Sequence, residues 1–197
     1  MNILNIMIDK LNQRSDKFTV VLNDTGADVL RNARYIVDKL ITDINVSVSY
    51  IACIKHDKDF DEETQQMKTV HYHLVIELDS ICRVGTILKW LSNRLLLNEN
   101  QITIDKCNSL AMQSRYLIHL DDFDKYQYDK YDVRTNNEVL FQDYLLLVKI
   151  RDLKDLISRV KEYHYDLEII MSKVVNYDKY RKYINDILVN YYRKGRY

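Results

Sequence analysis

The chain has 197 residues, 47% of them apolar, enough for one ordinary domain and a smaller appendage. Its 29 basic and 29 acidic residues cancel, which excludes a broad positive field and leaves any contact with a polyanion to a local patch. Cys53, Cys82 and Cys107 form no CxxC pair, which excludes a disulfide framework and a cysteine zinc site and points to a reducing cytoplasm.

Asp9, Lys10 and Arg14 interrupt the apolar residues of the N-terminus, so no signal peptide is expected there, nor is there a run of about 18 apolar residues to span a membrane. Lys17 to Leu22 reads as a strand closed by the turn chemistry of Asn23-Asp24-Thr25-Gly26. Val29, Ala33, Ile36, Val37, Leu40 and Ile44 then recur at helical spacing. Ser47 to Lys55 is β-rich and ends at His56, and Val70 to Leu78 alternates as a neighbouring strand, with a polar loop between them. Val84, Ile87, Leu88, Leu91 and Leu95 mark a further helix, Gln101 to Asp105 a short strand, and Ser109 to His119 another helix. This order predicts an α+β domain, a mainly antiparallel sheet with flanking helices.

Residues 121 to 137 are dense in charge and tyrosine without periodicity and read as a loop or linker. Beyond Glu138 the pattern is purely helical, through Leu145, Leu153, Leu156 and Val160 and then a long stripe from Leu167 to Tyr191. The expected division is 1–131 for the sheet domain and 132–197 for an all-α segment. That segment is too small to bury all its Leu, Ile and Tyr alone, so self-association or docking is expected. The sixteen tyrosines are too diffuse to be read as base-stacking sites as a class.

Three of the five histidines, His56, His71 and His73, fall close together with Asp59. On the strand His71 to Leu78, alternation puts His71, His73, Val75 and Glu77 on one face and Tyr72, Leu74, Ile76 and Leu78 on the other, the core face. Two imidazoles at i and i+2 stand close enough for one metal, and His56 and Asp59 at the end of the neighbouring strand can complete it. The mixed nitrogen and oxygen set suits Mn²⁺, Mg²⁺, Zn²⁺ or Co²⁺, and Asp59 favours a hard catalytic ion over a structural zinc. Such an ion can assist displacement at a phosphodiester. Tyr116 is the candidate nucleophile: Met112, Tyr116 and His119 share one face of the 109–119 helix, away from Leu110, Leu117 and Leu120.

His71-Tyr72-His73 flanked by apolar strand residues, then Ser114-Arg115-Tyr116-Leu117-Ile118-His119, then Asp124-Lys125-Tyr126-Gln127-Tyr128-Asp129, resembles the HUH endonucleases, specifically the streptococcal and staphylococcal rolling-circle plasmid replication initiators. The likeness covers about residues 50 to 129. It implies His56, Asp59, His71 and His73 as metal ligands and Tyr116 as the catalytic tyrosine, with Mn²⁺ the expected ion and Mg²⁺ an alternative. It also implies nicking of single-stranded, hairpin or duplex origin DNA through a 5′-phosphotyrosine that leaves a 3′-OH primer. A homo-oligomer, a hexamer by resemblance, and host replication proteins such as a helicase are the partners it implies, without a membrane. His119 and Glu77 are the candidates for an acid or base, and Tyr126, Tyr128 and Tyr131 are rival nucleophiles set in the charged loop. Arg115, Lys125, Lys130 and Arg134, with Lys89 and Arg94, are where phosphate contacts are expected. The alternatives are an HUH relaxase or transposase, and a non-catalytic origin-binding protein.

Overall fold

The computed structural model of the chain describes residues 3–23 and 30–193. The turn residues Asp24 to Gly26 and Val29 lie outside them. Helix α1 (Ile3–Asn12) leads into strand β1 (Arg14–Asn23), helix α2 (Ala33–Ile41) and strand β2 (Val48–His56). The expected polar loop holds a small hairpin, β3 (Phe60–Asp61) with β4 (Gln66–Met67), before the long strand β5 (His71–Arg83). Helix α3 (Val84–Leu95), strand β6 (Ile102–Lys106), helix α4 (Leu110–Leu117) and the two-residue strand β7 (Arg134–Thr135) follow.

The five-stranded sheet has the order β6-β1-β5-β2-β7, antiparallel throughout. Alternation sorts its residues as the sequence predicts. Phe18, Val20, Leu22, Ile51, Cys53, Tyr72, Leu74 and Ile76 share one face and pack with Ile36, Leu40, Ile87 and Leu91 of α2 and α3 in one core; burying each such side chain stabilises the fold by about 2 kcal/mol. The opposite face carries Tyr50, His56, His71, His73 and Val75, with α4 against it, joined by the hydrogen bond of Tyr50 to Ser114 at 2.9 Å. That helix starts where the Ser109 hydroxyl accepts the Met112 N–H at 3.2 Å. Asn32 caps α2 in the same way through the Tyr35 N–H.

Three local expectations are corrected: the reach of the α2 stripe, the 121–137 loop and the long stripe to Tyr191. Ile44 is 97% exposed beyond the end of α2, so it is no part of the apolar stripe. The 121–137 segment is not a plain linker: β7 pairs with β2 through Ala52 and Cys53 and extends the sheet. The chain divides after Phe141, and the second compact unit runs from Gln142. Helix α5 (Glu138–Leu146) spans that division, and helices α6 (Leu153–Glu162), α7 (Leu167–Lys173) and α8 (Tyr177–Arg193) build the second unit around Ile150, Leu156, Val160, Ile170 and Ile184. The long stripe to Tyr191 is thus two helices, broken at Val174, where the backbone turns extended and bridges to Val148. No helix among the described residues is long and apolar enough to cross a membrane.

Candidate metal centre and its tyrosine

The register of the two central strands assembles the cluster. His56 stands opposite His71, and Ile54 opposite His73, so the end of β2 and the start of β5 bring three imidazoles to one edge. Ring centroids lie 5.5 Å apart for His56 and His71, 4.5 Å for His56 and His73, and 4.9 Å for His71 and His73. Asp59 folds back from the turn, and one ligand atom from each of the four residues lies within 4.8 Å of the others.

Backbone carbonyls fix how the rings are presented. A carbonyl only accepts, so His56 Nε2–H donates to Leu117 O at 2.7 Å and His71 Nδ1–H donates to Thr69 O at 2.8 Å. The remaining nitrogens, His56 Nδ1 and His71 Nε2, point at Asp59 Oδ2 from 3.1 and 3.5 Å. Two imidazole lone pairs and a carboxylate oxygen converging on one point need a cation between them, a proton or a metal ion. A divalent ion fits this set, and the carbonyl bonds hold His56 and His71 each in one tautomer.

Titration follows the same geometry. Burial raises the Asp59 carboxyl, but the hydrogen bonds from His56 and His71 outweigh it and hold Asp59 well below the usual carboxylate range. The bond to Asp59 lifts His71 above its ordinary value against the effect of burial. Burial pushes His73 down to about 3, and charge on His56 and His71 adds to the shift.

Tyr116, half-buried on α4, sets its ring edge-on to His73 at 5.7 Å. The helix ends at Leu117, so His119 is not on its face as expected. It sits beyond the cap with φ 55°, while the Leu120 N–H closes onto Arg115 O at 3.1 Å. The left-handed turn still delivers its ring to the cluster, 4.7 Å from His56 and 5.2 Å from Tyr116. His119 Nδ1–H donates to Tyr126 O at 2.8 Å, and its buried Nε2 has no hydrogen-bond partner.

Tyr128, expected in a loop apart from the metal face, is 7% exposed and stacks on His56 at 4.3 Å. Its hydroxyl donates to Asp59 Oδ1 at 3.0 Å and accepts the Lys58 N–H at 2.9 Å. No spacing rule reveals this, because the contact joins residues 69 apart in the chain. Tyr126 accepts a hydrogen bond from Lys58 Nζ at 2.8 Å, and Tyr131 is 70% exposed. Glu77 stands six residues along β5 from His71, across from Lys17 and paired with it at 3.3 Å.

The expected phosphate contacts divide. Arg115 is buried and its guanidinium grips Asp121 through two bonds of 2.8 and 2.7 Å, so it is a structural cation and not a surface one. Arg94 ties α3 to the end of α2 through Lys39 O and Asp43. Lys125 reaches Tyr116 Oη at 3.2 Å. Lys130 lies over the Tyr131 ring, and Arg134 lines a groove of about 810 Å³ with Arg34, Lys55 and Lys58. A second groove of about 620 Å³ runs past Asp59, Tyr116 and Lys125.

The family model described as plasmid replication protein, origin binding domain, matches residues 10–142. No curated protein matches the chain.

Proposed function

The chain belongs to the family of plasmid replication proteins with an origin-binding domain, and from that membership we propose that it starts rolling-circle replication by a metal-dependent, site-specific nick with Tyr116 as nucleophile. The observation that carries the reading is the tyrosine ring set 5.7 Å from His73, at the edge of a cluster of three histidines and one aspartate. A phenol on a rigid helix next to a site able to hold a divalent ion suits in-line displacement at phosphorus.

In the proposed step the Tyr116 oxygen bonds to phosphorus and the P–O3′ bond breaks. The phenolic proton leaves to water, and the departing 3′ oxygen takes one up. The products are a 5′-phosphotyrosine and a 3′-OH that can prime synthesis, and attack by a 3′-OH on the phosphotyrosine reverses the transfer. His56 Nδ1, Asp59, His71 Nε2 and His73 would hold the divalent ion, Mn²⁺ or Mg²⁺, which when bound polarises the scissile phosphate. The chain's own contribution is to keep those lone pairs aimed by the Leu117 and Thr69 carbonyls and to hold Tyr116 on a helix backed by the sheet.

Single-stranded or hairpin origin DNA is the substrate in this reading, with Lys130 and Arg134 as phosphate contacts. The helical unit joins copies of the chain, and host replication proteins such as a helicase act with it in the bacterial cytoplasm. The test incubates labelled single-stranded and supercoiled DNA carrying the plasmid's own origin with Mn²⁺ or EDTA and compares wild type with Tyr116→Phe on a denaturing gel. A metal-dependent nick with a covalent adduct lost in the variant is expected. An adduct that survives moves the nucleophile elsewhere, and origin binding without cleavage under any divalent ion makes the protein a non-catalytic origin binder.

A further inference from the structure

The turn that follows α4 carries an ammonium to the hydroxyl of Tyr116. Lys125 Nζ donates to Tyr116 Oη at 3.2 Å and lies 4.7 Å from the centroid of the same ring. It is also paired with Asp122 at 2.7 Å, and the Lys125 N–H bonds back to Asp122 O at 3.1 Å. The backbone bond closes the turn, and the ion pair with Asp122 holds the ammonium within reach of Tyr116 Oη.

The charge of the surroundings explains why an aimed cation matters at this point. Six carboxylates against three lysines line the groove in which Tyr116 lies. Such a surplus opposes negative charge on Tyr116 Oη. An ammonium within hydrogen-bond reach of that oxygen offsets the opposition where charge develops.

We propose that Lys125 is a catalytic residue of the nick, its ammonium stabilising the negative charge on Tyr116 Oη while the bond to phosphorus forms. The assignment rests on the reading of Tyr116 as nucleophile. In the forward step the Oη–P bond forms, the P–O3′ bond breaks, the phenolic proton goes to water and the 3′ oxygen is protonated. In the reverse step the 3′-OH attacks, loses its proton to water, and the Oη–P bond breaks with Tyr116 leaving as a phenolate beside Lys125. The same charge sits on the same atom in both directions. Removing the ammonium therefore slows nicking and rejoining by one factor and leaves their equilibrium in place.

Single-turnover nicking of a labelled single-stranded origin oligonucleotide at saturating protein, and rejoining of the isolated adduct by a 3′-OH oligonucleotide, test this in wild type, Lys125→Met, Lys125→Arg and Tyr116→Phe. Binding of the same oligonucleotide in EDTA is measured by anisotropy. Lys125→Met is expected to slow both directions equally, on the order of 10- to 100-fold, with Kd within about twofold of wild type and with most of the rate recovered in Lys125→Arg. Weakened binding with unchanged saturated rates overturns the proposal and makes Lys125 a phosphate contact. An adduct that needs Tyr116 but forms at full rate in Lys125→Met overturns this assignment alone. An adduct that persists in Tyr116→Phe overturns the nucleophile and this assignment with it.

Discussion

The hydroxyl of Tyr128 ties the carboxylate of the histidine cluster to the loop that crosses it. It donates to Asp59 Oδ1 while the ring lies flat on His56, at an interplanar angle of 6°. Losing that donor leaves the ring's packing intact and frees one carboxylate oxygen. Tyr128→Phe is therefore expected to weaken Mn²⁺ binding about tenfold, as measured by titration calorimetry. An unchanged affinity would mean that the stacking alone positions Asp59. His73 carries a second residue-scale prediction. Burial depresses it to about 3 in the metal-free protein, against about 6.5 unfolded. Between those values the unfolded chain binds more protons than the folded one, so this contribution to stability is whole above pH 6.5 and is lost as pH falls. His71 is raised, so its contribution has the opposite sign and is whole below pH 6.5, lost as pH rises through the raised value. The thermal midpoint in EDTA should thus fall from pH 6.5 to pH 5, and His73→Gln should flatten that fall. A slope that His73→Gln leaves unaltered would assign the effect to other groups.

At the scale of elements, α4 and its exit determine what the sheet face can do. Arg115 points inward from the helix to Asp121, past its end, with 6% and 21% of the two side chains exposed. The pair pins the turn that holds His119 and leads to Lys125. Removing one partner of a buried pair strands the other, so Arg115→Met is expected to destabilise the first unit by about 3 kcal/mol in urea unfolding. A loss confined to DNA affinity, at unchanged stability, would return Arg115 to the surface role its charge suggests. The strands and helices that frame the site were legible because period-2 alternation in β2 and β5 and the stripe in α3 report burial directly. That His56, Asp59, His71 and His73 come together was legible from their clustering and alternation, and the place of Tyr116 on a helix from its spacing with Met112. The hairpin β3–β4 and strand β7 were not, since two-residue strands are too short to carry a period. His119 was misplaced for a related reason: periodicity continues one turn past Leu117, whereas the backbone departs into a left-handed turn that non-glycine residues adopt at some cost.

For the whole molecule, the two units pose different burial problems. The first closes a sheet with helices on both faces. The second has one helical core and leaves much apolar surface in water: Leu146 is 77% exposed, Met171 53%, Tyr183 49% and Val189 46%. On α6 the division is clearest, because Leu156 and Val160 are buried while Leu153 and Ile157, one turn apart, are 48% and 44% exposed. A pair at i and i+4 shares a face, and a helical face of this kind is what a second copy of the chain would cover. Leu153→Lys with Ile157→Lys places two charges on that face without entering the core. Sedimentation velocity should then show the wild-type chain as an assembly and the double variant as a smaller species, while nicking of a single-stranded oligonucleotide by the first unit persists. If the double variant sediments as wild type does, α6 is not the joining face, and the exposed residues of α8 become the ones to change. If wild type is itself a monomer at micromolar concentration, the apolar surface belongs to another partner, and a host replication protein is the component to add.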